Sequence, residues 1–217
     1  MITDPRVEAY LDLLDPGNGP ELEKIREAAE KSGVPVVRRA EEGLLRTLVA
    51  ALRPAEILEV GTAVGYSAAL MSRYLPEGGH ITTIESFAPR VREAEKNFSR
   101  LHLTDRVTLL AGDAGKYLDT FPAEHFDLIF LDAAKGQYPA WLPALLRCLR
   151  RGGVLLSDNV LQEKKVVESR FAVERRERTI HARMREYLYL LTHTEGLVTC
   201  VLPCGDGMSV TVKKGTE

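Results

Sequence analysis

Over the first fifty residues, apolar side chains recur every three or four positions, the period of helices with one buried face. The pattern predicts helices over about 5–14, 20–32 and 39–51. The breaker DPGNGP (Asp15–Pro20) separates the first two, and Arg53-Pro54 ends the third. Gly33-Val34-Pro35-Val36-Val37 reads as a short extended piece, since Pro35 lacks a donor and restricts the residue before it. Beyond residue 55 the pattern changes, and short apolar runs alternate with helical periods. Strands are expected at about 56–60, 80–85, 106–110, 125–131 and 153–157, with helices near 66–74, 88–100, 114–119 and 138–149. A long charged helix is expected from about 171 to 193. Two strand-like runs, Leu197–Leu202 and Met208–Val212, flank Gly205-Asp206-Gly207, a hairpin signal. Alternating strands and helices imply parallel strands with right-handed crossovers. The expected fold class is α/β, a mostly parallel seven-stranded sheet with a C-terminal antiparallel hairpin strand and extra N-terminal helices.

Length and composition narrow the picture. A chain of 217 residues, 45% hydrophobic and 28% charged, is expected to form a single domain over 1–217, with 1–53 a helical extension within it. The net charge of -2 argues against a wholly basic nucleic-acid binder and leaves room for a local patch. The start, MITDPRVEAY, has acids and no apolar core, so no signal peptide is expected. No apolar stretch approaches the roughly 20 residues of a membrane span. Cys148, Cys200 and Cys204 are an odd number and suggest buried free thiols in a reducing cytoplasm rather than a disulfide framework. In extended chain Cys200 and Cys204 would stand about 13 Å apart, and no other soft ligand completes a site.

The stretch ILEVGTAVGYS (Ile57–Ser67) reads as strand, tight glycine turn, helix, a place for a ligand to lie against backbone N–H groups. The dinucleotide fingerprint G-x-G-x-x-G fails here, because Gly61 is followed by Ala63 and then Gly65. In an open parallel sheet, ligands sit beyond the carboxyl ends of the strands. Those ends carry Gly61, Glu85, Asp113, Asp132 and the pair Asp158-Asn159. Glu85 could accept both hydroxyls of a ribose or be a solvated acid. Asp113 could accept from an adenine amino group or cap the next helix. Asp132, Asp158 and Asn159 offer hard oxygen donors with no thiolate or imidazole nearby, which suits Mg²⁺; the alternative is two caps and a turn. Lys135 is either a base or charge stabiliser beside that metal, or a surface lysine. Basic residues cluster from Lys164 to Arg185, interleaved with glutamates, as a salt-bridged face or an RNA footprint. His181 and His193 lack partners at metal spacing and read as structural or exposed.

The order acid-x-Gly-x-small-x-Gly, with Glu59 as the acid, resembles the S-adenosylmethionine (SAM) loop of class I methyltransferases, whose fold is Rossmann-like. Together with TIE, GDA, FLDAAKGQY, GVLLSDNVL and PCGDGM, it makes the chain from roughly Val34 to Lys214 similar to the cation-dependent O-methyltransferases of the catechol and caffeoyl-CoA type. Within them, VPVV, DAAKGQY, DNVL with its basic sequel and the GDG ending are most similar to the bacterial tRNA 5-hydroxyuridine methyltransferases. The resemblance implies that Asp132, Asp158 and Asn159 bind Mg²⁺ and that Lys135 assists deprotonation of the acceptor hydroxyl. It implies that Glu59, Gly61, Tyr66, Ser67, Glu85, Asp113 and Ala114 hold SAM, with Val37 closing over it and Asp132 also touching it. Ala63 departs from the glycine many methyltransferases carry there, and tolerance is expected.

The activity so implied is SAM- and Mg²⁺-dependent O-methylation in the cytoplasm by a homodimer, with 5-hydroxyuridine at the wobble position of the tRNA anticodon loop as acceptor, giving 5-methoxyuridine. Its 5-oxygen and 4-carbonyl could chelate one ion as a catechol does. The alternative acceptor is a small catechol or caffeoyl-CoA-like molecule. A catalytically silent SAM-binding protein is the non-enzyme alternative, and the intact set Asp132, Lys135, Asp158 and Asn159 argues against it.

Overall fold

The computed structural model describes residues 4–215, which form two compact units, 6–117 and 118–215 with Asp4 and Pro5. The first unit opens with helices α1 (Pro5–Leu14), α2 (Pro20–Lys31) and α3 (Arg39–Leu52). Then come β1 (Glu56–Val60), α4 (Tyr66–Ser72), β2 (His80–Glu85), α5 (Ala88–Arg100), β3 (Val107–Ala111) and α6 (Ala114–Leu118). Its strands lie in the order β3-β2-β1, all parallel, with Val60 opposite Ile84 and Ile84 opposite Leu110. β1 is buried from Ile57 to Val60, as a strand covered on both faces must be. α4 is buried on every side, which explains its small residues Ser67, Ala68 and Ala69.

The second unit holds β4 (Phe126–Leu131), α7 (Tyr138–Cys148), β5 (Leu149–Ser157), α8 (Arg178–His193), β6 (Leu197–Leu202) and β7 (Met208–Lys213). Their order is β4-β5-β7-β6; β4 and β5 are parallel, and β7 runs antiparallel to both its neighbours. All six residues of β4 are buried. α8 contributes Met184, Tyr187 and Leu191 to the core, and the Tyr187 ring meets Tyr138 edge-on at 5.3 Å between centroids. All seven expected strands are present, and the Gly205-Asp206-Gly207 turn joins the last two.

Three boundaries differ from expectation. β5 begins at Leu149 rather than near 153, because Leu149 pairs with Phe126 before a register shift; the exposed Arg150-Arg151-Gly152 hides that start in the sequence. α8 begins at Arg178 rather than near 171. Upstream of it, Val173 is buried in a non-helical stretch and its carbonyl accepts from the Arg178 guanidinium, so an apolar residue that mimics the helical period belongs to a turn. α4 stops at Ser72, two residues early, as Arg73 and Tyr74 close shorter turns onto Leu70 and Met71.

The cysteines form no disulfide among the described residues, and only Cys148 is buried; Cys204 is half-buried, and Cys200 is exposed on β6, whose alternate residues face outward. The expectation of three buried thiols is thereby corrected. Burial pushes the Cys148 thiol up to about 11. A maleimide reagent at neutral pH is expected to label Cys200 in the native chain and Cys148 only after denaturation, which peptide mass spectrometry would read.

Candidate functional site

In the first unit the parallel register places three sequence-predicted residues at successive strand ends: Gly61 after β1, Glu85 ending β2 and Asp113 after β3. Gly61 (φ 109) and Gly65 (φ 81) adopt backbone conformations that favour glycine. At Gly65 a side chain also has no room, since a Cβ would stand 2.7 Å from the Phe98 ring. Ala63 sits at φ 47, so the non-glycine departure carries a modest left-handed strain of about 1 kcal/mol. Several backbone donors of the loop are already engaged by the protein. Gly61 and Thr62 donate to the Ile84 carbonyl, Gly65 donates to Thr62, and Ala63 donates to Glu85 at 2.9 Å. The other Glu85 oxygen accepts from Phe87 N–H at 2.8 Å. Each carboxylate oxygen has a second lone-pair direction, so Glu85 can be held by the loop and still accept a ribose hydroxyl.

Glu59 is fully buried and accepts from the Thr83 hydroxyl, which lies 2.6 Å from that of Thr62. This chain of oxygens ties the acid in β1 to the start of the loop. Ser67 and Ala114 are buried at the first turns of α4 and α6. Asp113 is exposed and caps α6 by accepting from Lys116 N–H at 3.2 Å, which leaves its other oxygen to a ligand.

Val37 and Tyr66 are held by residues that the sequence reading passed over. Arg26 donates to the Val37 carbonyl at 2.7 Å, pairs with buried Glu42, and lies over the Tyr66 ring at 4.7 Å. Tyr66 donates to Glu42 at 2.9 Å, and Asn18 donates to both Glu42 (2.6 Å) and the Tyr66 hydroxyl (3.1 Å). Arg26 stands on the buried face of α2 beside Leu22, Ile25 and Ala29; a cation in that apolar stripe was the available signal.

In the second unit Leu131 and Ser157 are register partners, so Asp132 and Asp158 follow neighbouring strand ends, and Asp158 N–H donates to the Leu131 carbonyl at 3.0 Å. Asp158 is buried, while Asp132 and Asn159 are half-buried. Asn159 takes a left-handed φ of 54, and its N–H donates to the Asp158 carboxylate. The buried Tyr138 hydroxyl sits under these ends: it accepts from Ala133 N–H at 3.2 Å and donates to the Leu131 carbonyl at 3.1 Å. Burial, and then the negative charges of Asp132 and Asp158, hold its phenol well above the usual range. Both carboxylates therefore act on the Tyr138 hydroxyl. Among the described residues no three of His, Cys, Asp and Glu gather as a metal site. The expected set has two such residues and is completed by the amide of Asn159. Its donors are all oxygen, the chemistry that fits Mg²⁺.

Lys135 opens a short 3₁₀ turn (Lys135–Gln137) and is half-buried. It lines a cavity of about 220 Å³ with Lys165, Glu177, His181 and Asp206. Lys165 is paired with Glu177 at 2.8 Å, and Arg185 with the Val166 carbonyl at 3.2 Å. Lys164, Arg170, Arg175 and Arg176, which flank Phe171 in sequence, are exposed, and Phe171 itself is 86% exposed. His181 is buried with Nε2 3.2 Å from the Glu168 carbonyl, and His193 is exposed, as expected.

Residues 17–214 match the O-methyltransferase family. A catechol O-methyltransferase of Mycobacterium tuberculosis is 32% identical over 160 residues, 73% of each chain. One from Niastella koreensis is 35% identical over 146 residues, 64% of this chain and 65% of that one. An O-methyltransferase from Bacillus cereus, solved in complex with S-adenosylhomocysteine, superposes with a TM-score of 0.84 at 27% identity, over 96% of this chain and 97% of that one.

Tyr138→Phe removes the acceptor of Ala133 N–H from a buried site. It is expected to cost about 1–3 kcal/mol and to lower the melting temperature by roughly 2–4 °C per kcal/mol, measured by calorimetry.

Proposed function

The chain belongs to the O-methyltransferase family and has its Rossmann-like α/β fold, and from that premise we propose that it transfers a methyl group from SAM to a small catechol-type acceptor in a Mg²⁺-dependent reaction. The observation that carries this reading is the all-oxygen set Asp132, Asp158 and Asn159 at the in-register ends of β4 and β5. We assign SAM to Val37, Glu59, Gly61, Tyr66, Ser67, Glu85, Asp113 and Ala114, with Asp132 as a further contact. Glu85 binds the ribose through its open lone pairs, and Asp113 binds the adenine amino group. Glu59, sealed behind Thr83, holds the loop in its binding shape.

A sulfonium methyl needs an oxygen anion as its attacker. Mg²⁺ supplies the positive charge that favours the ionised acceptor. Lys135 Nζ takes the acceptor's proton; as the new carbon–oxygen bond forms, the carbon–sulfur bond breaks and S-adenosylhomocysteine leaves. Buried Asp158 is kept in place by its backbone bond to β4 and by the Tyr138 turn beneath it.

A second reading keeps the same chemistry and takes 5-hydroxyuridine at the tRNA wobble position as acceptor. It is favoured by Phe171, an exposed aromatic in a stretch of chain that also exposes Lys164, Arg170, Arg175 and Arg176, the residue types on which an unpaired base can stack. We further propose a homodimer, with α1 as the contact. Val7, Tyr10, Leu11, Leu13 and Leu14 on that one helix are each 50% exposed or more. The free thiols fit a reducing cytoplasmic setting.

Purified protein with SAM and Mg²⁺ is expected to methylate catechol, with EDTA abolishing turnover and Lys135→Ala lowering it at least a hundredfold, followed by mass spectrometry of the products. Methylation confined to tRNA bearing 5-hydroxyuridine would overturn the small-molecule reading in favour of the second. Replacing Leu11 and Leu14 by Glu is expected to convert a dimer to a monomer in light scattering after size exclusion; an unchanged mass would rule out α1 as the contact.

A further inference from the structure

The segment after Asp158 is unusual in its backbone. Asn159 (φ 54), Gln162 (φ 48), Glu163 (φ 51) and Lys164 (φ 72) are four non-glycine residues in the left-handed region within six positions. Such conformations persist only where the surroundings over-determine them, and they gather at functional sites. Here the determinant is the β6–β7 turn. Val160 N–H donates to the Gly207 carbonyl at 2.9 Å, Leu161 N–H donates to the Asp206 carbonyl at 3.0 Å, and Glu163 N–H donates to the Asp206 carboxylate. Asp206 is buried, and Gly207 (φ 90) lies so close to Leu161 that a Cβ would stand 2.3 Å from its Cγ. Three contacts, at Val160, Leu161 and Glu163, therefore pin the segment 160–164 from one side, directly after Asn159.

We propose that Asp206 is a positioning residue for the metal site: by fixing the strained segment 160–164 to the closing turn, it sets the conformation from which Asn159 offers its amide oxygen. This rests on the Mg²⁺ reading above. In this reading the Asp206 carboxylate acts through the Glu163 N–H. The active feature is an oxygen acceptor in the right place rather than its charge. Asn keeps that acceptor and Ala does not.

The test uses the full-length chain with Mn²⁺ as the probe ion, counted by electron paramagnetic resonance, and SAM affinity by calorimetry. Asp206→Ala is expected to weaken Mn²⁺ binding at least tenfold with SAM affinity within twofold of wild type, and Asp206→Asn to stay within threefold for both. Gly207→Ala, which drives a methyl into Leu161, is expected to reproduce the Asp206→Ala separation. Wild-type Mn²⁺ affinity in Asp206→Ala would overturn the proposal alone, as would a tenfold loss in Asp206→Asn or a parallel loss of SAM affinity. A wild-type chain that takes up no Mn²⁺ would overturn the metal reading and this one with it.

Discussion

The pairing of β4 with β5 forces two carboxylates to follow neighbouring strand ends, because Leu131 lies opposite Ser157 and an acid comes next on each strand. Like charges brought together where one is buried repel more strongly than they would in water, and a fold has few ways to tolerate that. The second unit uses several. A neutral phenol is buried beneath the pair, backbone N–H groups donate to the local oxygens, and α7 begins where Tyr138 must stand. A divalent cation held as proposed at Asp132, Asp158 and Asn159 would complete the compensation.

The first unit meets a different demand. A loop meant to lie against a nucleoside has to hold its shape before the ligand arrives, or the ordering cost comes out of the binding energy. Thr62, Thr83 and Glu59 form one support, and Glu85 with Ala63 and Phe87 forms another. The sequence suggests donors open to a ligand. The structure has Gly61, Thr62, Ala63 and Gly65 already bonded within the protein.

The sequence conveys strand ends well, because period, glycine turns and terminal acids are local signals. Glu85, Asp113, Asp132 and Asp158 all stand where the alternation placed them. It conveys supports poorly. Arg26, Glu42 and Tyr138 act through partners that are far away in sequence or on another element, and nothing in their neighbours announces the pairing. The late start of α8 has the same origin: Val173 carries a helical period but is buried by a turn. Exposure of alternate residues on β6 likewise depends on the pairing partner, so Cys200 could not be placed from composition.

The buried cluster of Asn18, Arg26, Glu42 and Tyr66 changes what the first fifty residues are. They could pass for an appendage ahead of a complete α/β core, yet the guanidinium of one helix and the carboxylate of the next grip the first residue of α4. Trimming the chain back to β1 would leave an aromatic hydroxyl stranded at the base of the glycine loop. The helical start and α4 of this chain therefore share one buried polar network and have to fold together.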